Sequence, residues 1–359
     1  MDKIVLLDGG MGQELLAKSK QKPHPMWSAK VLLDEPEIVE EVHCDYIKAG
    51  SKIITLNSYS VTPERLKRDS SIELFENLQN KAISLAKRSK DKTINIHNGD
   101  LNIAGCLPPL TASYRPETSP QFNESVDQYY KIASIQSKSV DIFICETMSS
   151  INEAKAAVTA AKNFSKPIWV SFSINDDNTS TLRSGEKLIE GIKELKNLNV
   201  DAVLINCSIP EAINSSFQEL KSNFSTIGAY ANGFTSIDAL LPGGTVDALE
   251  KRKDLNPDKY SDFAIKWVKS GAKIIGGCCE VGPKHISKLR EKGMTFNQIA
   301  DHLNKKKILS VRGKQFRGGH VHSIMKRKRV RDEKLKEKYP EVRSDFYLDI
   351  YDKSIIFSL

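Results

Sequence analysis

Short apolar runs alternate with amphipathic segments along most of this chain, and that alternation restricts the fold more than any other feature. Eight runs read as strands: Lys3–Asp8, Lys52–Leu56, Thr93–Gly99, Val140–Cys145, Ile168–Ser173, Ala202–Asn206, Thr226–Ala231 and Lys273–Gly276. Between them, Glu37–Lys48, Ile72–Lys90, Ser125–Lys138, Asn152–Lys162, Gly185–Leu195, Glu211–Lys221 and Pro257–Lys269 carry helical periodicity. Eight strand-helix units predict an α/β chain folded as a (β/α)8 TIM barrel, with a doubly wound open sheet as the structural alternative.

Residues that follow barrel strands line the catalytic rim. Here those positions hold Asp8-Gly9-Gly10, Asn57-Ser58-Tyr59, Glu146, Cys207, Asn232 and Cys278-Cys279. Polar and sulfur chemistry is therefore expected at one end of the barrel. Cys207 and the Cys278-Cys279 pair would bring three thiolates to one point, and a zinc ion held by three protein ligands keeps a fourth corner open for chemistry. A thiol entering that corner loses its proton near neutral pH, which points to a sulfur substrate. Gly276-Gly277 is expected to free the backbone so that both sulfurs can turn inward. The competing readings are a structural zinc, a redox pair or buried cysteines, but no Cys-x-x-Cys pair of the zinc-ribbon kind occurs. Cys44, Cys106 and Cys145 are expected to be structural bystanders, Cys106 in a long loop from Asp100 to Phe122.

The chain has 359 residues, 40% of them hydrophobic and 27% charged, which are globular values. Six cysteines at irregular spacing do not resemble a secreted disulfide framework and favour a reducing compartment. The opening apolar stretch is too short for a signal peptide and no later run approaches a membrane span, so a cytoplasmic protein is expected. Most of the formal charge of +8 comes from the residues after Ser310, leaving the body near neutral. The expected division is a barrel over residues 1–305 and a partly flexible basic extension over residues 306–359.

Five groups of residues, met in order between Lys3 and Leu303, resemble the homocysteine S-methyltransferase family. They are Asp8-Gly9-Gly10-Met11-Gly12 with Glu14-Leu15, Trp27-Ser28-Ala29, Asn206-Cys207, Gly276-Gly277-Cys278-Cys279, and Gly282-Pro283 with His285-Ile286. The resemblance implies a zinc-dependent barrel that moves a methyl group onto the sulfur of homocysteine and makes methionine. It implies Cys207, Cys278 and Cys279 as zinc ligands, and Asp8 and Glu146 as acceptors for the substrate amino group. Gly9 and Gly10 would let the backbone approach the α-carboxylate. Asn232 matches a position that, in some relatives, fills the open zinc corner until homocysteine arrives.

The methyl donor must be an onium compound, and aromatic faces suit such cations. Trp27 and Tyr59 match donor-site aromatics of betaine-using relatives, but Thr147 stands where those relatives carry tyrosine, so S-methylmethionine is favoured. Betaine or dimethylsulfoniopropionate as donor, and selenocysteine as acceptor, are the alternatives within the family. The loop Pro108–Pro116 is expected to close over the site, with Arg115 meeting a donor carboxylate. A cobalamin route from methyltetrahydrofolate would need modules for which this chain has no room.

The run Lys326-Arg327-Lys328-Arg329 motivates a reading of another class, a nucleic-acid-binding or scaffolding protein. Aromatic residues are not interleaved there, so a solvated tail is the expected state and nucleic acid an unlikely partner. The apolar end of the extension also offers a contact for a homo-oligomer.

Overall fold

The computed structural model describes residues 4–97, 99–293 and 313–315. Its strands are β1 (Val5–Leu6), β2 (Ile53–Thr55), β3 (Asn102–Leu107), β4 (Ile142–Met148), β5 (Ile168–Phe172), β6 (Ala202–Asn206), β7 (Ile227–Tyr230) and β8 (Ile274–Ile275). All neighbouring pairs run parallel, in the order β1-β8-β7-β6-β5-β4-β3-β2. The seam lies between β1 and β2. It is bridged by the Lys52 amide donating to Leu6 O at 2.7 Å and by Ser51 Oγ donating to Leu7 O at 3.2 Å. The sheet is thus a nearly closed (β/α)8 barrel, and the open-sheet alternative is excluded.

The α-helices are α1 (Met11–Lys18), α2 (Ser28–Asp34), α3 (Pro36–Ala49), α4 (Pro63–Asp69), α5 (Phe75–Lys92), α6 (Ile94–His97), α7 (Phe122–Gln136), α8 (Ile151–Ala161), α9 (Leu188–Asn197), α10 (Pro210–Asn223), α11 (Pro257–Lys269) and α12 (Pro283–Gly293). All seven expected helical segments are present. Local chemistry sets their limits. Proline opens α3, α4, α10 and α11, where its missing N–H costs nothing. Ser150 and Glu153 form a reciprocal capping box at the start of α8, and α3 stops at Gly50 with φ of 117°.

Strand residues are buried on both faces, as a helix-wrapped parallel sheet requires. On β6, Leu204 points into the barrel with Leu7, Ile53, Ile144 and Ile274, whereas Val203 and Ile205 pack outward beneath the helices. Seven strands fall where the sequence places them. The third does not: the expected strand Thr93–Gly99 holds the short helix α6, and β3 begins at Asn102. Period-two alternation in Thr93-Ile94-Asn95-Ile96 mimics a half-buried strand, yet Ile94 and Ile96 are 47% and 48% exposed. The true strand carries Gly105, where a side chain would collide with Gln136 and the Phe143 ring.

The chain divides into two compact units, Met1–Gly293 and Met294–Leu359. The expected boundary at 305, the basic run and the apolar end all lie outside the described residues. No helix among the described residues is long and apolar enough to cross a membrane.

One buried side chain ties the helical layer to the rim. Tyr260 of α11 donates its hydroxyl to Gly276 O at 2.7 Å and accepts from the Ala231 amide at 3.1 Å. Tyr260→Phe orphans both backbone groups, and buried unsatisfied groups cost about 1–3 kcal/mol each. The variant is expected to lose roughly 2–6 kcal/mol in urea unfolding, and an unchanged midpoint would refute this role.

Candidate active site

Three sulfurs meet at the C-terminal rim. Cys207 follows β6 with φ of 46°, in the left-handed region that a non-glycine residue enters at a cost. Its carbonyl is held by Ser173 Oγ at 3.2 Å and by Arg183 Nη2 at 3.3 Å. Arg183 is only 8% exposed and pairs with Asp176 at 3.1 Å, while Asp176 accepts the Ile209 amide at 2.9 Å. Nothing in the sequence singled out this clamp, because both members lie well before Cys207 in the chain.

The second arm of the site is fixed by backbone bonds. The Cys278 amide donates to Ala231 O at 3.0 Å, and Cys279 O accepts from the Gly233 amide at 2.8 Å. Gly276 and Gly277 do not adopt positive φ. Their role differs from the expected one and is spatial, since a Cβ would strike Leu7 at the first and Val281 at the second. Gly10 passes directly beneath the pair, where a Cβ would meet Cys278 O and the Cys279 Cα.

All three Sγ atoms lie within 4.8 Å of one another. Cys207 and Cys278 are joined as a disulfide with Cα atoms 5.7 Å apart. The rim brings these two sulfurs within bonding reach. Cys279 keeps its thiol, and burial pushes its pKa up to about 12. Once reduced, the set fits a tetrahedral thiolate site with metal–sulfur bonds of about 2.3 Å. Asn232 adjoins the sulfurs through Gly233; its Oδ1 accepts the Phe234 amide at 3.3 Å and its Nδ2 has no partner among the described residues.

An inner cavity opens on Cys278 and Cys279 and is lined by Asp8, Gly9, Gly10, Trp27, Tyr59 and Glu146, among others. The expected substrate-binding residues are therefore brought together. Asp8 accepts the Thr55 amide at 2.7 Å and the Thr55 hydroxyl at 3.3 Å. Glu146 Oε1 accepts the Cys106 thiol at 2.9 Å, so Cys106 lies on β3 as a partner of the site and not in a loop as a bystander. Burial raises Asp8 to about 7, with the Glu146 charge adding to it, and burial likewise raises Glu146 to about 7. Two buried carboxyls that resist ionisation suit a cationic guest. The Gly10 amide is committed to Val281 O at 3.0 Å, so any approach of a ligand to Gly10 uses space and not this donor.

A second, outer cavity is lined by Arg65, Ser113, Tyr114, Cys207, Phe234 and Leu241 among others, and shares Trp27, Tyr59 and Cys279 with the inner one. Trp27 and Tyr59 meet edge to face with ring centroids 5.9 Å apart. Gly12 makes room for the indole, which would collide with any Cβ there. The loop Pro108–Pro116 does reach this cavity through Ala112, Ser113 and Tyr114. Arg115 does not line it; its guanidinium donates to Asp238 O at 3.4 Å, and Arg65 occupies the wall instead. Thr147, with φ of 61°, is gripped by Asn206 through its amide at 3.0 Å and its hydroxyl at 2.9 Å.

A parallel barrel with clustered thiols and buried carboxyls at its C-terminal rim defines a barrel enzyme built to handle a sulfur-containing amino acid. The family model for homocysteine S-methyltransferase matches residues 5–292. The chain belongs to that family. It is 29% identical over 306 residues to a homocysteine S-methyltransferase of Bacillus subtilis, covering 80% of this chain and 93% of that one. It is 27% identical over 322 residues to a selenocysteine methyltransferase of Astragalus bisulcatus, covering 79% and 90%. Among solved structures, the homocysteine methyltransferase MmuM from Escherichia coli in its metallated form matches with a TM-score of 0.69 at 25% identity, covering 81% of this chain and 96% of that one.

The carboxyl pair sets a pH dependence. Unfolded Asp and Glu lose their protons near pH ~4, whereas folded Asp8 and Glu146 hold theirs until about 7. Between these limits the folded state binds more protons, so stability of the substrate-free protein falls as pH rises and the loss is complete above about 7. Glu146→Gln removes one contributor. Its urea midpoint is expected to fall less than wild type between pH ~5 and ~8, and parallel pH profiles would contradict the assignment.

Proposed function

We propose that this methyltransferase moves a methyl group from an onium donor to the thiol of homocysteine, using zinc held by Cys207, Cys278 and Cys279. The observation that carries the reading is the convergence of three sulfurs, two of which, Cys278 and Cys279, line the same cavity as the buried carboxyls Asp8 and Glu146. Bound zinc would supply a Lewis-acid position at which a thiol ionises near neutral pH. Asp8 and Glu146 hold the α-ammonium, whose charge relieves their mutual repulsion and restores both as carboxylates. Gly9 and Gly10 leave space for the α-carboxylate end. Trp27 and Tyr59, at the junction of the cavities, face the onium carbon. The homocysteine sulfur then displaces the methyl in line, and the electron pair of the broken bond leaves on the neutralised donor. Fixed alignment of sulfur and methyl supplies most of the rate.

S-methylmethionine is the favoured donor, with betaine and dimethylsulfoniopropionate as alternatives; the likeness to a selenocysteine methyltransferase keeps a selenol acceptor in view. The triad acts only when reduced, which supports a reducing compartment such as the cytoplasm. Residues 306–359 are proposed to form a separate basic extension.

Protein purified under reductant is expected to carry about one zinc per chain, the load of a single three-cysteine site. Cys278→Ala should lose both the metal and methionine formation from homocysteine and S-methylmethionine. Full activity in metal-free protein would sink the reading. A panel of S-methylmethionine, S-adenosylmethionine, betaine and dimethylsulfoniopropionate assigns the donor.

A further inference from the structure

The two cavities differ in charge. The inner one carries Asp8 and Glu146, whereas the outer one carries Arg65 and Arg68 and has no acidic residue in its lining. Arg68 is already satisfied: its fork grips Asp69 through two bonds of 2.7 Å, and Nη1 donates to Thr111 O at 2.7 Å.

Arg65 is different. Its Nε and Nη2 donate to Pro109 O at 3.3 and 3.1 Å, and Nη2 also donates to Ser113 Oγ at 3.3 Å. Every one of these acceptors is neutral. No carboxylate forms an ion pair with Arg65 among the described residues, and Nη1 makes no hydrogen bond there. The guanidinium lies 5.3 Å from the centre of the Tyr59 ring, which fixes its plane beside the shared aromatic wall. Burial lowers its pKa, and the nearby Asp69 charge offsets that only in part. Such a fork matches the two oxygens of a carboxylate.

A ligand filling the outer cavity meets Arg65 and the cysteines Cys207 and Cys279 in one lining, together with Trp27, Tyr59 and Tyr114. From this we infer that Arg65 is the carboxylate anchor of the methyl donor, and that the donor is an onium carboxylate whose acid end sits at Arg65 and whose methyl faces the sulfurs. The inference rests on the proposed methyl transfer and adds the group that selects the donor. Arg115, the cation that the sequence offered for this task, points to Asp238 instead.

The test compares each acid donor with its carboxamide, which keeps the shape and removes the charge. The probes are S-methylmethionine and dimethylsulfoniopropionate, each paired with its carboxamide, in the reduced, zinc-loaded full chain. Loss of a charge-assisted bidentate contact corresponds to about 10- to 100-fold in kcat/KM. Wild type is expected to prefer the acid by that factor. Arg65→Gln should abolish the preference by weakening the acid alone, with the KM for homocysteine and the zinc content unchanged. Arg65→Lys, which keeps a point charge without the fork, should retain part of it and serves as the readout if the glutamine variant does not fold. A preference that survives both substitutions overturns the anchor while leaving the methyl-transfer reading intact. Absence of transfer from every donor to wild type would remove that reading and the anchor with it.

Discussion

Asp8 sits where the barrel fails to close by strand pairing. β1 (two residues) and β2 (three residues) share no ladder, although each pairs with its other neighbour. A carboxylate takes over: Asp8 accepts both the amide and the hydroxyl of Thr55, across the seam left by the Lys52–Leu6 bond. The same carboxyl lines the inner cavity and is held near neutrality by burial. Closure of the fold and, in the proposed reaction, recognition of the substrate ammonium would therefore depend on one side chain. The arrangement concentrates the cost of a buried acid at the point where a ligand can offset it.

The sulfur cluster depends on a comparable economy of position. Cys207 and Cys278 belong to loops separated by β7, yet the parallel sheet delivers both to one rim, where neighbouring strands share hydrogen bonds. Strain at Cys207 is contained by Arg183 and Asp176, and the Cys278-Cys279 turn lies close over Gly10, Gly276 and Gly277. An apolar collar of Phe234, Ile237 and Leu249 packs around the sulfurs. Exclusion of water there strengthens every electrostatic interaction the cluster makes.

Much of this was legible in the sequence, for reasons that also explain the failures. Strand ends carry the chemistry of a barrel, so placing β1, β4, β6 and β8 correctly was enough to find Asp8, Glu146, Cys207 and the Cys278-Cys279 pair. β3 was missed because a strand buried on both faces has no alternation to detect, while the neighbouring Thr93-Ile94-Asn95-Ile96 run alternates for no structural purpose. That displacement hid Cys106, which a correct β3 would have set opposite Ile144 and within reach of Glu146. Arg65, Arg115 and Arg183 are chemically alike in sequence. Only the paths of the loops decide that one faces a cavity, one a surface carbonyl and one the backbone of Cys207.

The separation of charge between the cavities follows from the symmetry problem of the reaction. Acceptor and donor are both small, carry a carboxylate and contain a heteroatom that binds carbon, so shape alone discriminates weakly between them. Displacement at carbon requires the attacking sulfur, the methyl and the leaving atom to lie on one line. Each partner must therefore enter its own compartment in one orientation. In the proposed reaction Asp8 and Glu146 would favour an ammonium, whose charge restores them as carboxylates, while the outer wall would favour a carboxylate through Arg65. The shared boundary of Trp27, Tyr59 and Cys279 is where these preferences meet. Under the proposed transfer, opposed electrostatic compartments would do what contour cannot, aligning two similar zwitterions across a single sulfur cluster.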